Sequence, residues 1–260
     1  MMAIKLSCSA ILLSLSLFGT SQSWIFVKSY EVPQRITALD VGVLEKYYVG
    51  TERGNVYSFL ADGTPDTDLS SAIFQPVTAI DGSNTLRVFV YYKDIYTFEY
   101  LERFSAFPRK YSLADFGIAS GQYARTGLNN TIWVLDGNEL TQLNPLNRSV
   151  LISKKLNCSI DRPVGLFVGE SIVIADSEGI KDISLEGIVV NEISAKGVSH
   201  MSKDGNTIMA ISGDQLLIWN RVTTLNRSLS IPGKYTMCVK AGGYYHFVRD
   251  STVYTYQLQE

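Results

Sequence analysis

The stretch HMSKDGNTIMAISGDQLLIWNRVTTLNRSLSI, His200 to Ile231, decides the fold class. Short apolar runs alternate within it with the turn signals Asp-Gly-Asn and Gly-Asp. Apolar runs of this length, separated by tight turns, are typical of antiparallel strands. The stretch therefore predicts one unit of four antiparallel strands.

Comparable units recur along the chain. Their starts are separated by 35 to 45 residues and lie at Thr37, Thr78, Tyr123, Val164, Ser199 and Tyr235. Four strands repeated at this period are the signature of a β-propeller blade. The sequence therefore predicts an all-β fold with six four-stranded blades.

The two ends of the chain supply the last blade together. The final unit stops at Glu260 after three strands, and WIFVKSYEV, Trp24 to Val32, is an unassigned strand before the first unit. Pairing these segments would close the ring and protect exposed strand edges. Helix-period segments and long linkers are absent from the sequence, so a single propeller domain is expected over residues 24–260.

Residues 1–23, MMAIKLSCSAILLSLSLFGTSQS, have the pattern of a secretory signal peptide. Lys5 precedes an apolar run from Leu6 to Phe18, and small residues follow. The run is too short to span a bilayer at about 1.5 Å per residue. We expect an exported protein, placed in the periplasm or at the periplasmic side of an outer membrane, with no transmembrane span in the mature chain.

Composition and motifs argue against several function classes. The formal net charge of −2 provides no basic field for nucleic acid. His200 and His246 are the only histidines, and neither has a neighbour at metal-ligand spacing. Because the sequence also lacks nucleophile-elbow and phosphate-loop motifs, we predict no catalytic residue, no cofactor and no metal ligand.

The distribution of carboxylates is also compatible with a metal-dependent enzyme. Six-bladed lactonases and similar hydrolases hold a cation with carboxylates gathered from several blades, and aspartates recur near predicted strand ends at Asp40, Asp81, Asp136 and Asp176. A metal-dependent hydrolase or lyase acting on a sugar or lactone is therefore the alternative function. Asp81, Asp136 and Asp204 each precede glycine, and the cluster DGTPDTD, residues 62–68, lacks the late glutamate of an EF-hand loop, so turn formation is the favoured role.

The segment VFVYYKDIYTFEYLERF, Val88 to Phe104, is rich in aromatic residues. Alternation predicts one strand with Val88, Val90 and Tyr92 on one face and Phe89 and Tyr91 on the other. Tyr96, Phe98 and Tyr100 are expected to share a face of the next strand. Blades stack face to face, so this hairpin is predicted to form inter-blade core.

The tail of that segment, LERFSAFPRKY, Leu101 to Tyr111, mixes aromatic and basic residues. Such a mixture suits protein contacts. The predicted partner-binding residues are Arg103, Phe104, Phe107, Arg109, Lys110 and Tyr111.

Two segments of the sequence resemble known protein families. SKDGNTIMAI and LLIWN, in the fifth unit, resemble WD-repeat, YVTN-repeat and quinoprotein-like propellers. NTLRVFVYYKDIYTFEYLERF, Asn84 to Phe104, resembles small exported propeller-like accessory proteins of the type IX secretion translocon, including its plug subunit. The second resemblance implies a periplasmic protein that docks on an outer-membrane barrel, with no catalytic residues to carry over.

The favoured function is therefore a non-enzymatic, protein-binding module of the bacterial cell envelope. A carbohydrate lectin that stacks sugars on Trp133, Tyr244 and Tyr245 ranks below the hydrolase or lyase, because core packing accounts for these residues first. The sequence leaves open whether Cys158 and Cys238 pair. The sequons at Asn129, Asn147, Asn157 and Asn226 matter only if the host glycosylates exported proteins.

Overall fold

The computed structural model describes residues 22–69, 71–84, 86–102 and 108–259. Its strands form six four-stranded antiparallel sheets, and its helical segments are short 3-10 turns at Val43–Glu45, Lys93–Ile95, Leu113–Phe116 and Leu128–Asn130. Within the described ranges, no helix has the length and apolar composition needed to cross a membrane. The predicted all-β class is confirmed.

We number the six sheets as blades 1 to 6 in chain order. Blade 1 contains β2 (Ile36–Val41), β3 (Tyr47–Thr51), β4 (Val56–Phe59) and β5 (Pro65–Leu69). Blade 2 contains β6 (Ala79–Asp81), β7 (Arg87–Tyr92), β8 (Thr97–Glu102) and β9 (Arg109–Ser112). Blade 3 contains β10 (Tyr123–Thr126), β11 (Ile132–Asp136), β12 (Glu139–Asn144) and β13 (Ser149–Lys155).

The second half of the chain continues the same order. Blade 4 contains β14 (Gly165–Val168), β15 (Ile172–Asp176), β16 (Gly179–Ile183) and β17 (Val189–Ser194). Blade 5 contains β18 (Val198–Asp204), β19 (Thr207–Ser212), β20 (Gln215–Asn220) and β21 (Asn226–Ser230). Blade 6 contains β22 (Met237–Ala241), β23 (Tyr244–Arg249), β24 (Thr252–Gln259) and the N-terminal strand β1 (Ser23–Glu31).

The first strands of the blades surround a central channel. Each of them contacts the first strand of the next blade, in the cyclic order β2, β6, β10, β14, β18, β22 and back to β2. The six-bladed propeller is thus confirmed. In blade 6, β1 pairs antiparallel with β24, from Ser23 opposite Gln259 to Glu31 opposite Thr252.

The aromatic hairpin forms the middle of blade 2, as predicted. Phe89 and Tyr91 belong to one buried cluster, with Phe98 and Tyr100 from the next strand. Val88, Val90 and Tyr92 belong to a second cluster on the opposite side, which contains residues of blade 1. Alternation along β7 therefore supplies core to two inter-blade spaces.

The prediction for Tyr96 is wrong. β8 begins at Thr97, and Tyr96 closes the preceding turn with a positive φ of 48° and 42% exposure. The turn Lys93–Ile95 needs a left-handed residue at its end, and this requirement removes Tyr96 from the strand face that Phe98 and Tyr100 share.

Trp24 ties β1 to two blades. Its ring packs edge-on against Tyr245 and Phe247, with ring centroids 5.1 and 5.3 Å away. Its indole N–H donates a hydrogen bond of 2.7 Å to the carbonyl of Ser230, in blade 5. One side chain therefore links β1 to the end of blade 5.

Replacing Trp24 with alanine should lower the free energy of unfolding by about 3 kcal/mol, because it removes a large aromatic packing surface and an inter-blade hydrogen bond. Urea denaturation of the residue 22–260 chain measures this. Ile25→Ala, at a neighbouring residue with 40% exposure, should change stability by less than about 1 kcal/mol. Equal effects of the two substitutions would contradict the role assigned to Trp24.

Candidate functional site

The innermost strand of every blade has one residue at an equivalent position near its end, beside the central channel. That residue is the penultimate one of the strand in blades 1, 3, 4, 5 and 6 and the last one of β6 in blade 2. We call this set the channel ring; its members are Asp40, Asp81, Arg125, Phe167, Lys203 and Lys240. Its acidic members come from blades 1 and 2, and its basic members from blades 3, 5 and 6.

Arg125 joins both acidic members of the channel ring. Its Nη2 donates to Asp40 Oδ2 at 2.8 Å, and its Nε lies 3.2 Å from Asp81 Oδ2. Its guanidinium carbon also lies 4.1 Å from the centroid of the Phe167 ring. Because blades 1 and 3 are not neighbours, the pair of Arg125 and Asp40 braces the channel across an intervening blade.

The carboxyl groups of this cluster are buried, and burial changes their chemistry. Asp40 and Asp81 are 2% and 3% exposed. Burial raises the pKa of Asp40 to about 7, although Arg125 acts in the opposite direction. Burial also raises the pKa of the nearby Tyr123 to about 12. Asp40 therefore changes charge near neutral pH, although its side chain is almost fully buried.

His200 forms a second brace. Its Nδ1 accepts from the backbone N–H of Cys238 at 3.4 Å, so its proton is on Nε2, which donates to the carbonyl of Leu39 at 2.9 Å. The imidazole thus connects blade 5 to blades 6 and 1. Burial lowers its pKa to about 4, so the ring is neutral at pH 7.

These two hydrogen bonds define the role of His200. The residue is at the channel, and it acts as a hydrogen-bonded part of the strand framework. Both ring nitrogens already have backbone partners, so no lone pair is available for a general base. Catalysis by His200 would require breaking one of these bonds.

A cavity of about 420 Å³ opens at the end of the channel where the innermost strands begin. Its lining includes Thr37, Thr78, Tyr123, Ser199 and His200. Lys93 and Asp94 also line it, so the cavity offers hydroxyl groups, one tyrosine, one charge of each sign and a histidine whose two nitrogens are already hydrogen-bonded. Among the described residues, no group of three or more histidine, cysteine or acidic side chains could hold a metal ion.

The other predicted acidic residues serve separate local roles. Asp136 accepts from the hydroxyl of Ser120, and Asp176 pairs with Lys181 Nζ at 2.8 Å within blade 4. Asp62 Oδ1 accepts from the backbone N–H of Thr64 at 2.9 Å, which is turn formation as predicted. The four aspartates named from the sequence do not converge at one site.

Three predicted partner-binding residues, Arg103, Phe104 and Phe107, lie outside the described residues. Arg109 and Lys110 are exposed on β9. Tyr111 is half-buried and stacks on Phe98, with ring centroids 5.1 Å apart, so it also contributes to the core.

The remaining candidates belong to the framework. Trp133 packs against the buried cluster of blades 2 to 4, and Tyr245 is buried in the cluster of blades 5 and 6. His246 is fully buried and stacks on Tyr47 at 4.1 Å between ring centroids.

Cys158 and Cys238 are free thiols, and the four sequon asparagines are exposed.

Sequence reasoning missed Arg125, Phe167, Lys203 and Lys240. A signal was present, because the innermost strands align as TALD, TAID, QYAR, VGLF, HMSK and MCVK, with the ring residue last. The signal is weak, because no single residue type occurs at all six positions of the channel ring. Only their common place in the repeat unites them.

A second feature lies on the surface, at the end of the propeller where the first strand of each blade turns into the second. In an antiparallel blade, the turn from third to fourth strand lies at this same end. These turns carry exposed aliphatic side chains, at Leu44, Leu60, Leu86, Leu128, Leu146, Leu185, Ile188, Val222 and Leu225. We call this surface the leucine face.

Three members of the leucine face repeat from blade to blade. Leu44, Leu86 and Leu128 occupy the first turn of blades 1, 2 and 3, and they are 80%, 79% and 74% exposed. They are spaced 42 residues apart in the sequence. At the opposite end of the propeller, the exposed large apolar residues among those described are Phe74, Ile95 and Tyr96.

Grooves separate these leucines. Leu44 and Leu86 both line a groove of about 150 Å³ between blades 1 and 2. Leu128 lines a groove of about 250 Å³ between blades 2 and 3, where Arg87 donates to Asn130 Oδ1 at 2.6 Å. Leucines that project beside grooves are suited to contacts with a complementary protein surface.

Solved structures resemble this chain over most of its length. The β-propeller domain of Cps50 (Swd1) from Myceliophteria thermophila gives a TM-score of 0.67 at 9% identity and covers 91% of this chain and 100% of that one. Virginiamycin B lyase from Staphylococcus aureus gives 0.62 at 11% identity, covering 92% and 100%. The chain has the β-propeller fold.

The same lyase, as a catalytically inactive histidine-to-alanine variant with quinupristin, gives a TM-score of 0.64 at 10% identity and covers 92% of this propeller and 100% of that chain. Identities this low establish the fold alone. No protein-family model matches the propeller. No curated protein matches it either.

Asp40 and His200 should give the propeller opposite dependences of stability on pH. Asp40 has its pKa raised from 3.8 to about 7, so its contribution is present at low pH and is lost as pH rises through about 7. His200 has its pKa lowered from 6.5 to about 4, so its contribution is present above about 6.5 and is lost as pH falls through about 4.

Asp40→Asn should therefore make the free energy of unfolding rise more steeply between pH 5 and pH 8 than in the parent protein. His200→Gln should have the opposite effect. Urea denaturation at the two pH values measures both differences. Parallel pH profiles for the parent and Asp40→Asn would contradict the raised pKa.

Proposed function

We propose that this propeller is an exported, non-enzymatic protein of the bacterial envelope that docks on a partner protein through the leucine face. The observation that carries the proposal is the concentration of exposed aliphatic side chains in the turns at one end of the ring. Apolar surface of this kind is a marker of interaction sites in soluble proteins.

The arrangement of the channel supports a binding role over catalysis. Its buried charges brace the blades, and His200 has both nitrogens occupied. A rigid ring holds the turn leucines in fixed relative positions. Preorganised apolar side chains bind with little loss of conformational entropy.

The partner class that we propose is an outer-membrane barrel of the type IX secretion translocon, with this chain as an accessory or plug subunit. The segment that carries the sequence resemblance, Asn84 to Phe104, includes Leu86 of the leucine face. The exposed Arg109 and Lys110 follow on the outer strand of the same blade. Docking on such a barrel would place the protein in the periplasm.

A lyase or hydrolase is the second candidate, because the 420 Å³ cavity ends at His200 and the fold resembles that of virginiamycin B lyase. Incubation with quinupristin tests it directly, by following loss of the intact compound with mass spectrometry. We expect the compound to remain intact. Turnover that is abolished by His200→Gln would instead favour the enzyme.

Replacing Leu44, Leu86 and Leu128 together with serine should abolish capture of the partner. Burial of one leucine in an interface is worth about 1.5–3 kcal/mol, so the triple variant should bind at least about 100-fold more weakly. Its thermal stability should be unchanged, because the three side chains are exposed. The measurement is copurification of the tagged protein from its own cell envelope in mild detergent, followed by titration of the purified partner.

Phe74→Ser is the matched control, because Phe74 is 81% exposed at the opposite end of the propeller. It should leave capture intact. Equal capture by the parent and the triple leucine variant would overturn the assignment of the leucine face. Identification of a stoichiometric outer-membrane barrel would support the proposed partner class.

A further inference from the structure

The outer strand of blade 3 has an unusual sequence. β13 is last in its sheet, and no other strand among the described residues pairs with its outer edge. Its central residues Val150, Leu151 and Ile152 are 43%, 47% and 45% exposed. A long apolar strand with an open edge presents unpaired N–H and C=O groups that can pair with another strand.

Most outer strands of this propeller carry charges that discourage such pairing. β5 contains Asp66 and Asp68, β9 begins with Arg109 and Lys110, and β17 contains Glu192. Charged side chains on edge strands are a common protection against added strands. β13 has its charges, Lys154 and Lys155, at one end, and its centre from Val150 to Ile152 has none.

β1 has a similar apolar centre, but its surroundings differ. Phe26 of β1 packs against Tyr256, with ring centroids 5.6 Å apart. Ile152 of β13 instead lines a groove of about 230 Å³ between blades 3 and 4, together with Leu128, Trp133 and Leu185. An added strand could therefore pair its backbone with the open edge of β13 and place its apolar side chains in the groove.

The end of β13 adds a charge preference. Lys154 lines the groove, and Lys155 follows it on the exposed end of the strand. Within the described part of the chain, neither ammonium group has a carboxylate within an ion-pair distance of 4.0 Å. Their acidic neighbours are Glu139, which is opposite Lys155 on β12, and Glu186, whose pKa is lowered mainly by a hydrogen bond with Ser184 and further by the charge of Lys154. An occupant with acidic side chains at this end would complement both lysines.

We propose that blade 3 accepts an extended polypeptide segment as a fifth strand along β13, with an apolar side chain in the groove and acidic side chains facing Lys154 and Lys155. This proposal rests on the proposed function, since it specifies the part of the partner that extends past the leucine face. Backbone pairing recognises an extended peptide, and pockets beside the edge select its side chains.

The backbone pattern identifies where to block such a strand. The N–H of Leu156 points inward and donates to the carbonyl of Asn138 at 2.7 Å. The register is regular from Ile152 to Lys155, so inward and outward N–H groups alternate and the N–H of Ser153 points outward. Ser153→Pro therefore removes an outward backbone donor and no backbone bond to β12, but it also removes the hydrogen bond that the Ser153 hydroxyl donates to Glu139 of β12.

Blade 5 offers a matched control. The N–H of Ile231 donates to the carbonyl of Asp214 at 3.0 Å, in the same place as that of Leu156 in blade 3. Ser228 precedes Ile231 by the same number of residues as Ser153 precedes Leu156, and it is also exposed on an outer strand. Ser228→Pro makes the same backbone change in a different blade, and Ser153→Ala, which removes only the hydroxyl bonded to Glu139, should leave peptide binding unchanged.

The experiment selects short random peptides, displayed on phage, against the immobilised chain of residues 22–260. We expect enriched peptides that alternate apolar and other residues and contain acidic residues near one end. Synthetic versions of the enriched peptides should bind Ser153→Pro at least about tenfold more weakly and Ser228→Pro unchanged. Hydrogen exchange should show protection of the Ser153 amide when a peptide is bound.

Failure to enrich such peptides, or equal binding by the parent and Ser153→Pro, would overturn the proposal. Should Ser153→Pro not fold, the double variant Lys154→Glu and Lys155→Glu replaces it; it should lose affinity for the acidic peptides by about tenfold, and unchanged affinity would overturn the proposal. If the β13 variants leave partner capture unchanged while the substitutions at Leu44, Leu86 and Leu128 abolish it, that result supports the proposed function and overturns the fifth strand.

Discussion

The constraint on which this structure depends is that a four-stranded blade cannot bury both faces of its middle strands by itself. In blade 2, β7 sends Phe89 and Tyr91 into one inter-blade space and Val88, Val90 and Tyr92 into the other. Each blade therefore needs a neighbour on both sides, and only a ring supplies one to every blade. Pairing of β1 with β24 places the beginning and end of the described chain in the same sheet.

Polar contacts at the channel complement this apolar packing. Arg125 connects blades 1, 2 and 3 through two buried aspartates, and His200 connects blades 5, 6 and 1 through backbone groups. Removing one partner from a buried ion pair typically costs about 3–5 kcal/mol, because the other charge is left without compensation. The observed contacts of Asp40, Asp81, Arg125 and His200 are therefore structural. The surfaces available for binding a partner lie on the outside of the propeller.

The two surfaces that we propose for binding differ in chemistry. The leucine face presents side chains that project from turns, held in position by the rigid strands behind them. The edge of β13 presents backbone groups, with side-chain specificity provided by the neighbouring groove. Leu128 and Leu185 belong to the leucine face and also line this groove, so the two surfaces are continuous. A partner could use both without any change in the shape of the propeller.

Alternation and turn residues are local signals along the chain, and they were enough to predict the six strand-rich repeats, the Asp-Gly turns and the burial of the aromatic hairpin. The sequence showed that His200 has no partner at metal-ligand spacing, but its neutral tautomer depends on Leu39 and Cys238, which lie in other blades. Only the tertiary structure decided that Asp40 and Asp81 meet Arg125 while Asp136 and Asp176 do not. Only the assembled blades brought Leu44, Leu86 and Leu128 to one end of the ring. The physical reason is that these groupings join residues from separate blades, and their proximity follows from how the blades pack rather than from any spacing within one of them.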